Sequence, residues 1–425
     1  MKRLLKNGRV VDPASATDAT LDILIEDGRI AAIEESIEPG KSEVIELEGL
    51  TVCPGFIDMH VHFREPGQEW KESVATGAAA AASGGFTAVA CMPNTVPVMD
   101  NRALVEFVQA QAREAGMSRV WPIGAVTKGQ DGKELAEIGD MNAAGAVAFS
   151  DDGRPIRSSQ MMRMALEYSK IFGVPIIDHC EDPDLVAGGV VHEGWVSSRL
   201  GFKGWPGVAE DVIVARNILL SDYTGGHVHI AHMSTAGSMR LVREAKARGS
   251  RVTCEVTPHH LVLDHEAVME FDTYTKMNPP LRAAEDLDGL LEGLADGTVD
   301  AIATDHAPHH CDEKCVEFSR APFGVVGLET AVSICLDRLV HRDIISLSRM
   351  VELFSTGPAG VLGMDKGKLA VGAEADITVL DLDREVTVDA DDFESKSENS
   401  PFLKWKLRGG PVMTMVDGRI IHDRR

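Results

Sequence analysis

The feature that most constrains this chain is an alternation. Eight short apolar runs are separated by longer stretches, most of them with helical periodicity. The runs are FIDMHVHF (56–63), FTAVACMP (86–93), RVWPIGAV (119–126), AVAFSDD (146–152), VPIIDHC (174–180), HVHIAHMS (227–234), RVTCEVTPHH (251–260) and VDAIATDHAPH (299–309). Segments such as EWKESVATGAAAAASGG and SSQMMRMALEYSKIFG lie between them. Eight β/α units over some 300 residues predict an α/β fold of the (β/α)8 TIM-barrel type. Periodicity alone leaves a doubly wound open sheet as the alternative. The two ends of the chain read differently. Asn7-Gly8 and Asp27-Gly28 sit between apolar runs, and PVMTMVDGRIIHD repeats the pattern near the C-terminus. Each is a hairpin signal. The two ends are expected to form one small β-sandwich domain, residues 1–52 plus 366–425, beside a barrel of residues 53–365. The acidic, polar stretch 383–401 reads as a surface excursion.

Polar residues gather where the apolar runs end. Strand one ends in His60-Val61-His62, strand four in Asp151-Asp152, strand five in Asp178-His179, strand six in His232 and strand eight in Thr304-Asp305-His306. In a parallel barrel these ends share the face on which active sites are built. Residues i and i+2 of a strand point the same way, so His60 and His62 can serve one metal ion. Each histidine alone is as well explained by core packing; the constellation is not. Imidazole nitrogen and carboxylate oxygen suit zinc, and less specifically manganese or cobalt. The set exceeds one tetrahedral ion and fits two, about 3.5–4 Å apart. His60, His62 and Asp305 are assigned to one ion and His179 and His232 to the other, with Asp152 bridging. Asp151 competes for that role, since alternation lets only one of the pair face inward.

The runs FIDMHVHFREPGQE and GFTAVACMPNT, followed by GWVSSRLGFKGWPGVAE, NPPLR (278–282), IATDHAPH (302–309), GLET (327–330) and SKSENSPF, resemble the bacterial long-chain dihydroorotases of the amidohydrolase superfamily. The resemblance covers nearly the whole chain. It implies reversible cyclisation of N-carbamoyl-L-aspartate to L-dihydroorotate plus water, in pyrimidine biosynthesis. It places the bridging role on Asp152. Many relatives bridge their ions with a carboxylated lysine; AFSDDG has none, so the chain resembles the aspartate-using branch. The resemblance further implies Asp305 as the proton-transferring group. Substrate contacts fall on His62, Phe63, Arg64, Asn94, Asn278, His309, and the backbone near Phe323 and Gly324. Two Zn2+ ions per subunit, a homodimer and a possible aspartate carbamoyltransferase partner complete the expectation. Other cyclic amidases (hydantoinase, dihydropyrimidinase, allantoinase) are the rivals, but a neutral ring has no use for Arg64. A purely structural partner of the transferase would have lost the ligands kept here.

The formal net charge of −24 argues against nucleic acid or an anionic membrane as partner. It also demands a local reversal of potential if the substrate is an anion. No apolar run reaches the ~18 residues of a membrane span. The N-terminal apolar run breaks at Lys6, Asn7 and Gly8 before any signal-peptide core forms. The seven cysteines are scattered and read as reduced thiols of a cytoplasmic protein. His259-His260 and the Cys311-x3-Cys315 pair are expected to be packing and loop residues, and 308–324 a loop over the site.

Overall fold

The structure, a computed structural model, describes residues 2–425. All eight predicted barrel strands are present: β1 (Phe56–Val61), β2 (Phe86–Cys91), β3 (Arg119–Gly124), β4 (Ala148–Ser150), β5 (Ile176–Asp178), β6 (Val228–Ile230), β7 (Val252–Val256) and β8 (Ala301–Ile302). They are parallel and pair in chain order from β1 to β8. The ring closes through a parallel bridge between Val61 and His306, with His62 N–H donating to His306 O at 2.8 Å. That sequential order and closure set aside the doubly wound alternative. Several strands are much shorter than the apolar runs that contain them. The C-terminal part of each run has left the ladder to become the loop that carries the polar residues.

Helices follow the strands and cover the outside. Their ends obey local capping chemistry: the Ser73 hydroxyl accepts from Thr76 N–H at the start of Val74–Ser83, and Gly116 ends Arg102–Ala115 in the left-handed region. The main core lies between strands and helices, around Phe56, Phe86 and Phe354. A second buried cluster in the barrel includes Met59, Ala90, Met92, Ile177 and Ala303.

The chain ends do meet. Strands Lys2–Asp12, Thr17–Glu26, Arg29–Glu34, Glu43–Glu46 and Thr51–Pro54 join Ile377–Thr387, Lys406–Val416 and Arg419–Asp423 in one sheet of a β-sandwich. Thr51–Pro54 is the seam, flanked by Lys2–Asp12 on one side and Ile377–Thr387 on the other. Asp27-Gly28 and Asp417-Gly418 form two-residue hairpin turns, all four residues at positive φ. Asn7-Gly8 does not. It is a bulge inside the first strand, where the register with the second strand shifts between Leu5 and Gly8. The Asn7 N–H freed by the bulge donates to the buried Asp22 carboxylate at 2.9 Å. The reading of 383–401 as a surface excursion is also corrected. Ala390–Asp392 is exposed or half-buried, but Ser397, Asn399 and Ser400 are buried against the barrel mouth. No helix among the described residues is long and apolar enough to cross a membrane.

Candidate metal centre

His60 and His62 sit at and just beyond the end of β1 with both Nε2 atoms turned to the barrel axis. His62 Nε2 lies 3.0 Å from Asp305 Oδ1, and His60 Nε2 lies 3.5 Å from the same oxygen. Across the mouth, His179 Nδ1 and His232 Nε2 are 2.8 Å apart. Asp152 stands between the two pairs. Its Oδ2 is 3.4 Å from both His60 Nε2 and His62 Nε2. Its Oδ1 is 3.3 Å from His232 Nε2 and 3.6 Å from His179 Nδ1. One carboxylate thus presents one oxygen to each pair of imidazoles. Asp151 faces away and is consumed locally, accepting from Val126 N–H, Thr127 N–H and the Thr127 hydroxyl at 2.9, 3.0 and 2.5 Å. Asp178 likewise turns outward, to Asn217 at 2.6 Å.

The backbone bends to make this arrangement. Arg64, His232 and Asp305 all adopt positive φ, 62°, 30° and 48°, although none is glycine. Such conformations cost energy and persist only where packing enforces them; they concentrate at functional sites.

The donor set can hold divalent cations. The ligand atoms of His60, His62 and Asp305 lie within 4.8 Å of one another, as do those of His60, Asp152 and His232. His60 Nε2 and Asp152 Oδ1 are buried with no hydrogen-bond partner among the described residues. Burial would lower the His60 pKa, yet Asp152, Glu255 and Asp305 together raise it well above the usual imidazole value. His179 is pushed up to about 10, with burial opposing and Asp152 and Glu181 prevailing. A field that draws a proton this strongly also draws a divalent cation.

For three of the four histidines the ring nitrogen turned away from the centre is held as a ligand imidazole requires, while His232 Nδ1 has no hydrogen-bond partner among the described residues. His60 Nδ1 is 2.6 Å from Glu255 Oε1, His62 Nδ1 is 2.8 Å from Asn94 Oδ1, and His179 Nε2 is 3.1 Å from Glu181 Oε2. The fully buried Glu255 on β7 was missed in the sequence. Its signal was present: a lone carboxylate inside the apolar run RVTCEV is costly to bury unless partnered. His259 and His260 are buried, His260 between Thr257 Oγ1 and Pro279 O, and neither joins the cluster.

Beside the centre opens a cavity of about 320 Å3. His62, Arg64, Asn94, Asn278, His309, Phe323 and Gly324 line it, together with Asp152, His179, His232 and Asp305. Phe63 is the one predicted substrate contact outside the lining. Strand alternation sends its fully buried ring to the helical layer, where it packs on Gly77. Arg64 is 9% exposed, and the one hydrogen bond of its guanidinium among the described residues runs from Nε to Pro308 O at 3.2 Å. Cationic groups act on His309, which shares the cavity wall. Burial, then Arg64, Lys314 and Lys71, depress the His309 pKa to about 2. These cations offset the carboxylates of Asp305, Asp152 and Glu313, which act on Arg64 with the opposite sign. Lys276 and Lys314 are buried, their ammonium groups hydrogen-bonded to backbone carbonyls of the 273–276 and 318–322 segments. They tie the loop after β8 to the cavity wall. The residues Cys311–Lys314 form one helical turn there, with Cys311 and Cys315 exposed.

A (β/α)8 barrel whose strand ends gather four histidines and two aspartates beside such a cavity defines a cyclic-amide hydrolase of the amidohydrolase type. Solved relatives carry the same architecture. The L-hydantoinase (dihydropyrimidinase) from Arthrobacter aurescens superposes with a TM-score of 0.88 at 27% identity, covering 99% of this chain and 96% of that one. The D-hydantoinase (dihydropyrimidinase) from Thermus sp. gives 0.84 at 26%, covering 100% and 96%. Sequence relatives are more specific. The family model for dihydro-orotase-like proteins matches residues 49–238. The chain is 54% identical over 425 residues to the dihydroorotase of Pelotomaculum thermopropionicum, covering 100% of this chain and 99% of the relative. It is 50% identical over 418 residues to that of Acetivibrio thermocellus, covering 98% of each. The chain belongs to the dihydroorotase family.

Proposed function

We propose that this protein is a dihydroorotase, interconverting N-carbamoyl-L-aspartate and L-dihydroorotate plus water in pyrimidine biosynthesis. The observation that carries the reading is Arg64: a buried guanidinium at the wall of the cavity, with no carboxylate in ion-pair contact among the described residues. A substrate carboxylate completes it by a bidentate contact. Rings without a carboxylate leave it unpaired, and this separates the reading from a hydantoinase built on the same scaffold.

His60, His62 and Asp305 would hold one divalent cation and His179 and His232 a second, with Asp152 offering an oxygen to each. Zinc suits these donors. Bound there, such ions lower the pKa of water toward neutrality and polarise a carbonyl. In the hydrolytic direction, Asp305 takes the proton of the attacking water and returns it to the ring nitrogen as the C–N bond breaks. Arg64 and the free amide N–H groups of Asn94 hold the substrate carboxylate. His309 donates Nε2–H to Phe323 O, and its Nδ1 has no hydrogen-bond partner among the described residues. Its place in the cavity lining beside Arg64 sets it next to that carboxylate in this reading. Asn278 Oδ1, buried with no hydrogen-bond partner among the described residues, accepts a ring or ureido N–H, and the backbone at Phe323 and Gly324 orients the ring.

Residues 1–52 with 366–425 are proposed as one domain and 53–365 as the catalytic barrel. Exposed Met164, Ile171, Phe172, Leu219 and Tyr223, on and just after helices Ser159–Ser169 and Val208–Thr224, which pack together, support self-association as a homodimer. Seven unpaired thiols fit a reducing, cytoplasmic setting. Binding to aspartate carbamoyltransferase is a further proposed association.

The test is turnover of L-dihydroorotate and N-carbamoyl-L-aspartate by zinc-supplemented protein, with hydantoin and allantoin as controls, beside Arg64→Ala. Turnover of the first pair, with a loss of kcat/KM of about 100-fold or more in the variant, is expected from removing a charge-assisted bidentate contact. Activity only on the controls, or indifference to the substitution, refutes the assignment.

A further inference from the structure

Two segments after β8 build the cavity wall opposite the metal ligands: 307–309, which carries His309, and 322–324, which carries Phe323 and Gly324. Neither is a regular element beside the cavity. They are joined by Ala307 N–H donating to Val325 O at 2.7 Å. The second clasp comes from a distant part of the chain. Asn399, 1% exposed, reaches between them from the segment that leads back to the small domain. Its Oδ1 accepts His309 N–H at 3.0 Å, and its Nδ2 donates to Ala307 O at 3.2 Å and Gly324 O at 3.0 Å. Its own carbonyl accepts Val326 N–H at 3.0 Å.

Every polar atom of the side chain is used, and the pattern fits an amide alone. A carboxylate would set an oxygen against two carbonyl oxygens. An apolar side chain would orphan three buried backbone groups. The approach is close: a Cβ built on Gly324, whose φ is +133°, would lie 2.9 Å from Ala307 O. The clasped atoms are the main chain of the residues that face the ligand, while Asn399 itself is outside the cavity lining and touches none of the metal ligands.

We propose that Asn399 is a positioning residue for the substrate-binding wall, holding His309 and Gly324 in register so that the pocket is completed by the C-terminal segment. The inference rests on the reading of His309 and Gly324 as substrate contacts. It predicts a defect in substrate binding separate from metal binding and from the chemical step.

The experiment compares wild type, Asn399→Ala and Asn399→Asp, zinc-supplemented, on L-dihydroorotate, with zinc stoichiometry and a thermal melt for each. The expected result is a rise in KM of about tenfold or more with kcat within about threefold and zinc content unchanged, as removal of binding contacts ahead of the chemical step predicts. KM within twofold of wild type in both variants overturns the inference. So does a parallel fall of kcat and zinc content, or failure of both variants to fold, since the amide then serves the barrel rather than the pocket. If wild type itself turns over neither carboxylated substrate, the functional reading fails and this inference falls with it, an outcome visible before any variant is made.

Discussion

Glu255→Gln tests whether the centre is organised from behind its ligands. Glu255 and His60 are both fully buried, and the Nδ1–Oε1 distance of 2.6 Å marks a short, charge-assisted contact. With Nδ1–H committed to the carboxylate, Nε2 keeps its lone pair toward the centre and gains basicity. Glutamine is nearly isosteric. Its carbonyl can still accept from His60 Nδ1–H, and its amide can donate to His229 Nε2, which lies 3.3 Å from Oε2 and has no hydrogen-bond partner among the described residues. The substitution therefore removes mainly charge. Loss of such supporting partners costs 10- to 100-fold in metal affinity, about 1.4–2.7 kcal/mol at about 1.36 kcal/mol per decade. A hydrogen bond to a charged group contributes about 1.5–3 kcal/mol, in the same range. With geometry retained, the lower end is expected: about tenfold weaker zinc binding for Glu255→Gln, approaching 100-fold for Glu255→Ala. Competition against a chromophoric chelator measures it directly. Affinity for zinc in Glu255→Gln within twofold of wild type would refute the reasoning.

Neighbouring aspartates should behave oppositely: Asp152→Asn should lose zinc and at least ~100-fold in turnover, since it withdraws a ligand charge from both imidazole pairs. Asp151→Asn should keep its zinc, read by metal analysis, and lose about 1–3 kcal/mol of stability through its contacts to Val126 and Thr127. Glu329, whose carboxyl burial raises to about 7, gives a pH test. A raised acid pKa means the folded state binds more protons between about pH 4.3 and 7, so its contribution to stability falls as pH rises through that window. Urea unfolding of wild type relative to Glu329→Gln should therefore worsen by up to roughly 3 kcal/mol from pH 4.5 to 7.5, and parallel curves would contradict this. Thiol titration of the native protein should find two fast groups, Cys311 and Cys315, among seven; a faster-reacting buried cysteine would mean that the packing described is wrong.

Much of the molecule was legible in the linear order of residues, for identifiable reasons. Hydrophobic periodicity is a local property, so eight strands and their helices could be read from the runs themselves. The clustering of His60, His62, Asp152, His179, His232 and Asp305 followed because parallel strands must put their C-terminal ends on one face. Asp27-Gly28 marks its hairpin because a two-residue turn needs positive φ at both positions. Other features were decided only when distant segments met. Alternation allowed either Asp151 or Asp152 to face inward; the amides of Val126 and Thr127, from the loop that follows β3, captured Asp151. Asn7-Gly8 has the composition of a turn, but the buried Asp22 satisfies the amide that a bulge releases, and the strand continues. Phe63 resembles a substrate contact and is instead core, because the small Gly77 leaves room for its ring. Asn399 lies in a polar stretch that reads as exposed, and is buried because two carbonyls and an N–H at the barrel mouth need an amide between them. Composition and periodicity specify what each segment prefers in isolation. Which hydrogen-bonding partner a polar group finds depends on what the closed barrel brings within 3 Å, and that information resides in no single segment of the chain.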